Sequence, residues 1–257
     1  MAVVLDAEGL SDAQMQAFAR WTNLSETTFL LAPDSAEADY RLRIFTPGGE
    51  LPFAGHPTLG SCHAWLQVGG VPRSSDAIVQ ECAAGLVSVR RSSSTLFFAA
   101  PPLLRSGPMG AEELSRLAAA LGIPVQDVVA HQWVDNGPGW CALLLESAEL
   151  VLAIEPDMQA LSEFNVGIVG PLPAGEGAEF EVRAFVPALG VPEDPVTGSL
   201  NAGIGQWLIG ANIAPRSYRA RQGTALQREG IVYVEEQDGQ IWVGGAAQTI
   251  ITGELEF

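Results

Sequence analysis

Two stretches of the chain set acid, base and anion-binding residue types at matching places. Arg43-Ile-Phe45-Thr-Pro47 runs on to Pro52 and then to Gly55-His56-Pro57-Thr-Leu-Gly60-Ser61. Arg183-Ala-Phe185-Val-Pro187 runs on to Pro192 and then to Glu193-Asp194-Pro195-Val-Thr-Gly198-Ser199. The Arg, the Phe and both prolines recur at a single offset of 140 residues, and a two-residue difference then sets His56-Pro-x-x-Gly-Ser over Asp194-Pro-x-x-Gly-Ser. Histidine in one half against aspartate in the other is a pairing that packing alone does not demand, because a cap suited to one domain suits its twin. An imidazole and a carboxylate together are suited to moving protons. The structural alternatives are plain: Asp194 as an N-cap ahead of Pro195, and His56 as loop packing. Ser61 and Ser199 fall just inside the helices that follow. A further carboxylate, Glu26, stands at the mouth of a β-forming run and by spacing alone reads as a solvated strand-end residue.

The elements that must position these groups follow from periodicity. Ser11-Asp-Ala-Gln14 is a capping box, and the apolar spacing after it predicts a helix over 12–22 ending at Asn23. Strands are expected from about Glu26 to Leu31, at Tyr40–Phe45, Ile78–Cys82, Leu86–Arg90 and Thr95–Ala99, with a loop at Pro47–Pro52. A nearly apolar helix with Pro57 at its first position should be buried and stop at Gly69-Gly70. Pro101-Pro102 closes the first half. The second half opens with an amphipathic helix over Pro108–Leu121, stopped by Gly122. Strands at Val128–Val134, Trp140–Leu145, Val166–Val169 and Phe180–Phe185 follow, with short helices at Ala148–Ala153 and Met158–Glu163. A second apolar helix runs over Pro195–Ile209. A meander of strands at Tyr218–Arg221, Ile231–Glu235, Ile241–Val243 and Thr249–Ile251 ends the chain, with a hairpin turn at Asp238-Gly239.

The fold class expected is α+β, with two pseudo-symmetric domains over 1–105 and 106–257. Each is a curled mixed sheet around a central buried helix, and the last strand is free to return to the first domain. Facing each other, the two helix N-termini would point free N–H groups and the positive ends of their dipoles at one cleft, a setting for a carboxylate.

Composition narrows the partners. A formal charge of −17 with 13 Lys plus Arg argues against nucleic acid and acidic membranes. Neither a charged-then-apolar leader nor an apolar run of spanning length is visible, so a soluble cytoplasmic protein is expected. Cys62, Cys82 and Cys141 have no paired spacing and read as buried thiols, and His56, His63 and His131 lack the acidic company of a metal set. Gly203-Ile-Gly205 lacks the third glycine of a dinucleotide loop, and no Gly-Lys-[Ser/Thr] is present.

Leu24-Ser-Glu26-Thr-Thr-Phe29, the run Arg43–Gly60, Glu193-Asp194-Pro-Val-Thr-Gly198-Ser199 and Arg221-Gln222-Gly223-Thr together resemble the phenazine biosynthesis PhzF-like family of isomerases, in order over nearly the whole chain. The resemblance implies a diaminopimelate epimerase-like fold, no cofactor, and commonly a homodimer. It implies proton-transfer isomerisation of a small carboxylate-bearing substrate, with Glu26 as acid/base, His56 and Asp194 as further catalytic residues, and Gly55, Gly198 and Ser199 holding the substrate carboxylate. A carboxyl that takes and returns a proton calls for a raised pKa in an apolar enclosure, to which Phe29 and Phe53 would contribute. The residues leave open allylic migration against epimerisation. Where related epimerases use two cysteines, this chain has His56 and Asp194. Two departures from the family pattern stand out: Ala2–Leu5 occupies the place of a second strand, so a first strand with a Gly-Asn-Pro turn is missing, and Gln227 stands where Gly is usual. A serine hydrolase using Ser199, His56 and Asp194, and a non-catalytic ligand-binding protein on the same scaffold, are the alternatives.

Overall fold

The computed structural model describes residues 1–75, 77–93, 95–187 and 191–256. The chain forms two compact units, residues 1–99 with 244–257, and residues 100–243.

In the first unit the order is β1 (Ala2–Val4), α1 (Asp12–Thr22), β2 (Thr27–Leu31), β3 (Tyr40–Phe45), β4 (Glu50–Leu51), α2 (Gly55–Gln67), β5 (Ile78–Cys82), β6 (Gly85–Ser92) and β7 (Thr95–Ala99). Its sheet runs β1-β2-β3-β5-β6-β7, with β4 beside β3. The pairs β1/β2 and β3/β5 are parallel, so each needs a crossover, and α1 and α2 provide them. Alternation along β2 sends Phe29 and Leu31 into a cluster with Met15 and Ala19 of α1, while Thr28 bonds Ser61 of α2 at 2.8 Å. The sheet thus carries one helix on each face. The Ser11–Gln14 capping box forms, and Asn23 closes α1 in the left-handed conformation.

The second unit contains β8 (Arg105–Gly107), α3 (Ala111–Leu121), β9 (Val128–Asp135), β10 (Trp140–Leu145), α4 (Ala148–Leu152), β11 (Asn165–Pro171), β12 (Phe180–Val186), β13 (Val191–Asp194), α5 (Gly198–Gly210), β14 (Ser217–Gln222), β15 (Gly230–Gln237) and all of β16 (Gln240–Gly245) but Gly244 and Gly245. Here the order is β15-β14-β12-β11-β10-β9-β8, with β13 beside β12. The parallel pairs are β10/β11 and β12/β14. The segment β10-α4-β11-β12-β13-α5-β14-β15 therefore repeats, in order and strand direction, β1-α1-β2-β3-β4-α2-β5-β6. The fold is α+β and pseudo-symmetric. The order in the first unit ends at β1, whereas β9 and β8 continue beyond β10 in the second.

Five expectations shift. Helix α3 begins at Ala111 rather than Pro108, because the Met109 N–H donates to His131 Nδ1 and the Gly110 N–H to the Glu113 side chain. Pro57 is the third residue of α2, not the first, and the buried residues of that helix all lie at or before Cys62. Helix α5 starts at Gly198, leaving Pro195 outside. Residues Thr249–Ile251 form no strand: the side chains of Ile250 and Ile251 face solvent, and Thr249 is tied instead to His63 and Gln67 of α2. The Pro47–Pro52 loop contains the short strand β4.

Helix α5 is apolar all round and approaches its neighbours at glycines. A Cβ at Gly203 would stand 2.4 Å from the Val134 carbonyl of β9, and one at Gly205 2.7 Å from Val234 of β15. These are the two glycines of the incomplete dinucleotide pattern, and they serve packing.

Candidate active site

The first half-site is built on the start of β2 and the start of α2. Glu26 precedes β2, its carbonyl accepting from the Ala2 N–H at 3.1 Å, and alternation turns its side chain to the α2 face of the sheet, as it does Thr28. There Glu26 Oε2 lies 2.8 Å from His56 Nε2, the second residue of α2. The ring N–H is not aimed along that line, so this buried oxygen has proximity to the imidazole without an aligned hydrogen bond. Burial is the largest single influence on the Glu26 carboxyl and pushes its pKa up. The adjoining His56, the Ser25 side chain and the chain's amino terminus together outweigh it, and the pKa lies below the usual carboxylate value of 4.5. The expected upward shift is thereby reversed: the enclosure exists, but an imidazole occupies it. Phe29 does not contribute to that enclosure, since it packs edge-on against Phe45 and Phe18 on the opposite face, and Phe53 packs against Phe98.

Helix α2 begins with Gly55 and His56, whose N–H groups precede the first intrahelical bond, from Thr58 N to the Ala54 carbonyl. Pro57 has no N–H to offer, so this helix start presents two amides. Ser61 is not part of it: wholly buried, it bonds Thr28 in the core.

The second half-site is built on the end of β13 and the start of α5. Asp194 is the last residue of β13 rather than an N-cap, and Thr197 takes the N-cap place without a side-chain cap of its own. The Thr197 hydroxyl donates to Asp194 Oδ2 at 2.6 Å. The helix then presents Gly198, Ser199 and Leu200 amides. Trp140 Nε1, which can only donate, reaches Ser199 Oγ at 3.0 Å, and this leaves the hydroxyl proton of Ser199 for another acceptor. Asn136 ties down the Ser199 carbonyl at 2.8 Å.

Trp140, Thr197 and Gln222 were not singled out for chemistry from the sequence. Gln222 stood within a quoted motif without a role, and Trp140 is 59 residues from the serine it touches, a separation that carries no local signal. Two of the three cysteines, Cys62 and Cys141, are buried, and burial pushes each thiol up to about 12; Cys82 is half-exposed.

Residues 1–253 match the family described as phenazine biosynthesis-like protein. The chain belongs to that family. It is similar to antisense-enhancing sequence 1 of Schizosaccharomyces pombe, 38% identical over 99% of this chain and 92% of that protein. It is similar also to trans-2,3-dihydro-3-hydroxyanthranilate isomerase of Pseudomonas aeruginosa, 38% identical over 77% of this chain and 70% of that one. Among solved structures, a predicted epimerase of Pseudomonas aeruginosa superposes with a TM-score of 0.74 at 28% identity, covering 98% of this chain and 92% of that one.

Strand register shows how the two halves of this phenazine biosynthesis-like protein correspond. Phe45 pairs Glu50, and Ile44 pairs Leu51; Phe185 pairs Glu193, and Ala184 pairs Asp194. Asp194 therefore corresponds to Leu51, and His56 corresponds to Ser199, each being the second residue of its helix. The sequence repeat had set His56 over Asp194. By the same register Glu26 corresponds to Asn165, since Thr27 pairs Phe45 and Val166 pairs Phe185. The first unit thus carries a carboxylate and an imidazole where the second carries an amide and a hydroxyl, with Asp194 an addition particular to the second.

Proposed function

We propose that the protein is an isomerase that moves a proton on a small carboxylate-bearing substrate, with Glu26 as the acid/base and no cofactor. The observation that carries this is the Glu26 carboxylate itself: mostly buried, close to His56, beside a helix start, with one oxygen lacking an aligned donor. Its lowered pKa supplies the base form in the empty enzyme, ready to take a proton from carbon, and its conjugate acid returns the proton at another carbon or face. His56 provides a donor for the charge that develops, and Asp194 orients the substrate or receives a second proton. Amides of Gly55 and Gly198 and the hydroxyl of Ser199 are suited to a substrate carboxylate. Family membership and the isomerase named among the relatives support this class, and trans-2,3-dihydro-3-hydroxyanthranilate is the first candidate substrate.

Solvent-deuterium wash-in to that acid, and to amino-acid-like acids, is the test. Glu26→Gln should lower exchange by at least about a hundredfold, the upper part of the general-acid/base range being ten-thousandfold, while Ser199→Ala should weaken binding and retain exchange. Binding without any exchange in the unsubstituted protein would overturn the reading in favour of a ligand-binding role.

A further inference from the structure

Gln222, at the end of β14, is wholly buried and uses every hydrogen-bonding position of its amide. Its orientation is set by backbone groups that cannot exchange roles. The Thr197 N–H, 3.1 Å away, can meet only Oε1, and the Asp194 carbonyl, 2.9 Å away, can meet only Nε2. Asn201 Nδ2 fills the second lone pair of Oε1 at 2.8 Å, and the second proton of Nε2 goes to Thr197 Oγ1 at 2.9 Å. With an incoming donor on its oxygen, the Thr197 hydroxyl has its own single proton to place. It places it on Asp194 Oδ2 at 2.6 Å.

We propose that Gln222 is a positioning residue which, through the Thr197 hydroxyl, holds the Asp194 carboxylate in one orientation as a hydrogen-bond acceptor, so that Asp194 enters the reaction ionised and as a base. The direction of the relay follows from the backbone: reversing it would set two donors or two acceptors against each other at the amide, at a cost comparable with a buried unpaired group. Packing alone does not ask for this. The first unit has its own buried glutamine, Gln80, whose bonds run to the Thr58 hydroxyl and from the Tyr40 hydroxyl and reach no carboxylate. Among the charges on the elements around Asp194, Glu193 of β13 pairs Arg183 of β12 at 2.8 Å, and Glu181 of β12 pairs Arg221 of β14 at 2.6 Å. Arg228, which follows β14, stands beside Gly223. The hydroxyl of Thr197 is a neutral donor placed directly on the Asp194 carboxylate.

The proposal relies on the isomerase reading only for what Asp194 does to substrate; the relay can be measured without any. The probe is the side-chain carboxyl carbon-13 resonance of Asp194, identified by its loss in Asp194→Asn and followed through a pH titration of the intact protein. Thr197→Val, which keeps the shape and removes the donor, should move the Asp194 midpoint to higher pH, and Thr197→Ser should return it. Gln222→Glu replaces the donor on Thr197 by an acceptor and turns the hydroxyl away, so in that background Thr197→Val should move the midpoint no further. With an active substrate, Thr197→Val should lower kcat about tenfold, the loss of a hydrogen bond to a charged group, with KM little changed, and Thr197→Ser should restore it. An Asp194 midpoint unmoved by Thr197→Val, or moved equally in both backgrounds, overturns the proposal. If Gln222→Glu does not fold, the Val and Ser variants of Thr197 decide alone. Failure of the isomerase reading would show separately, as absent exchange with an intact titration response.

Discussion

Glu26 is subject to two opposed influences: enclosure favours its neutral form, and the neighbouring imidazole, serine and amino terminus favour the ionised one. The ionised form prevails, which fixes the sign of two pH dependences. A carboxyl whose pKa is depressed by folding contributes stability that is present above its unfolded value and is lost as pH falls through the folded one. Below the usual value of 4.5 the native protein therefore loses this contribution, and Glu26→Gln should flatten the acid side of its stability profile. Activity should likewise rise with pH through the Glu26 pKa and be level near neutrality. In His56→Ala the burial effect stands with its chief opponent removed, so the acid limb of the exchange rate should move to higher pH. A pH–rate profile of both proteins checks this, and a limb that stays put would mean His56 is not what keeps Glu26 charged. The role proposed for Glu26 could not be read from spacing, since strand-end carboxylates are ordinary; only the company of the other motifs raised it. His56 was legible from the repeat, although the partner assigned to it there was the wrong one.

At the scale of elements, one device is used twice at different depths. Arg43 of β3 grips Glu50 of β4 through two parallel bonds of 2.8 and 2.7 Å, and Arg183 of β12 grips Glu193 of β13 through bonds of 3.0 and 2.8 Å. Each guanidinium also lies over the next phenylalanine on its strand, Phe45 or Phe185. The repeated Arg-x-Phe is therefore a clamp that pins the short strand leading into the buried helix, and so it aims the helix start. The first pair is partly exposed and the second is 7% exposed on both sides, with Arg183 also capping the Val151 and Ile154 carbonyls at the end of α4. Glu193→Gln should then cost about 3–5 kcal/mol, the usual penalty for stranding a buried charge, and Glu50→Gln about 1 kcal/mol or less. Urea denaturation midpoints of the two variants measure the difference, and equal losses would show that burial does not set the value of the clamp. Tyr40–Phe45, Thr95–Ala99 and Trp140–Leu145 were legible because alternation and turn residues act locally. The start of α1 was legible from its capping box, whereas those of α2, α3 and α5 were not. Four residues separate Phe45 from Glu50 but seven separate Phe185 from Glu193, so the matching letters Pro52 and Pro192 sit at different structural places and Pro195 is the true counterpart of Pro52. An insertion of three residues leaves no mark in the residues on either side of it. Thr249–Ile251 failed for a related reason: β-branched residues form a strand only where a ladder and a buried face await them.

For the whole molecule, the division of the chain makes the two units unequal as folding units. Residues 100–243 are continuous and contain the ladders β8 to β15 together with an apolar cluster from α3, β10, β11 and α4, including Leu117, Leu121, Leu143, Val151 and Ile168. The other unit is discontinuous. Its sheet and helices lie in residues 1–99, yet Thr249 bonds both His63 and Gln67 of α2, and the backbone at Gly244 passes so close to Phe97 that a Cβ there would stand 2.4 Å from the ring. A fragment of residues 100–243 should therefore fold alone and unfold in one cooperative urea transition, as a domain with its own core does. Residues 1–99 alone should be less stable than the same residues joined through a Gly/Ser linker to 244–257, because the returning segment covers α2 and packs on β7. Circular dichroism with denaturant titration of the three fragments distinguishes the outcomes. If 100–243 is unfolded in isolation, its ladders and apolar cluster are not sufficient, and the pseudo-symmetric halves fold only as one cooperative body.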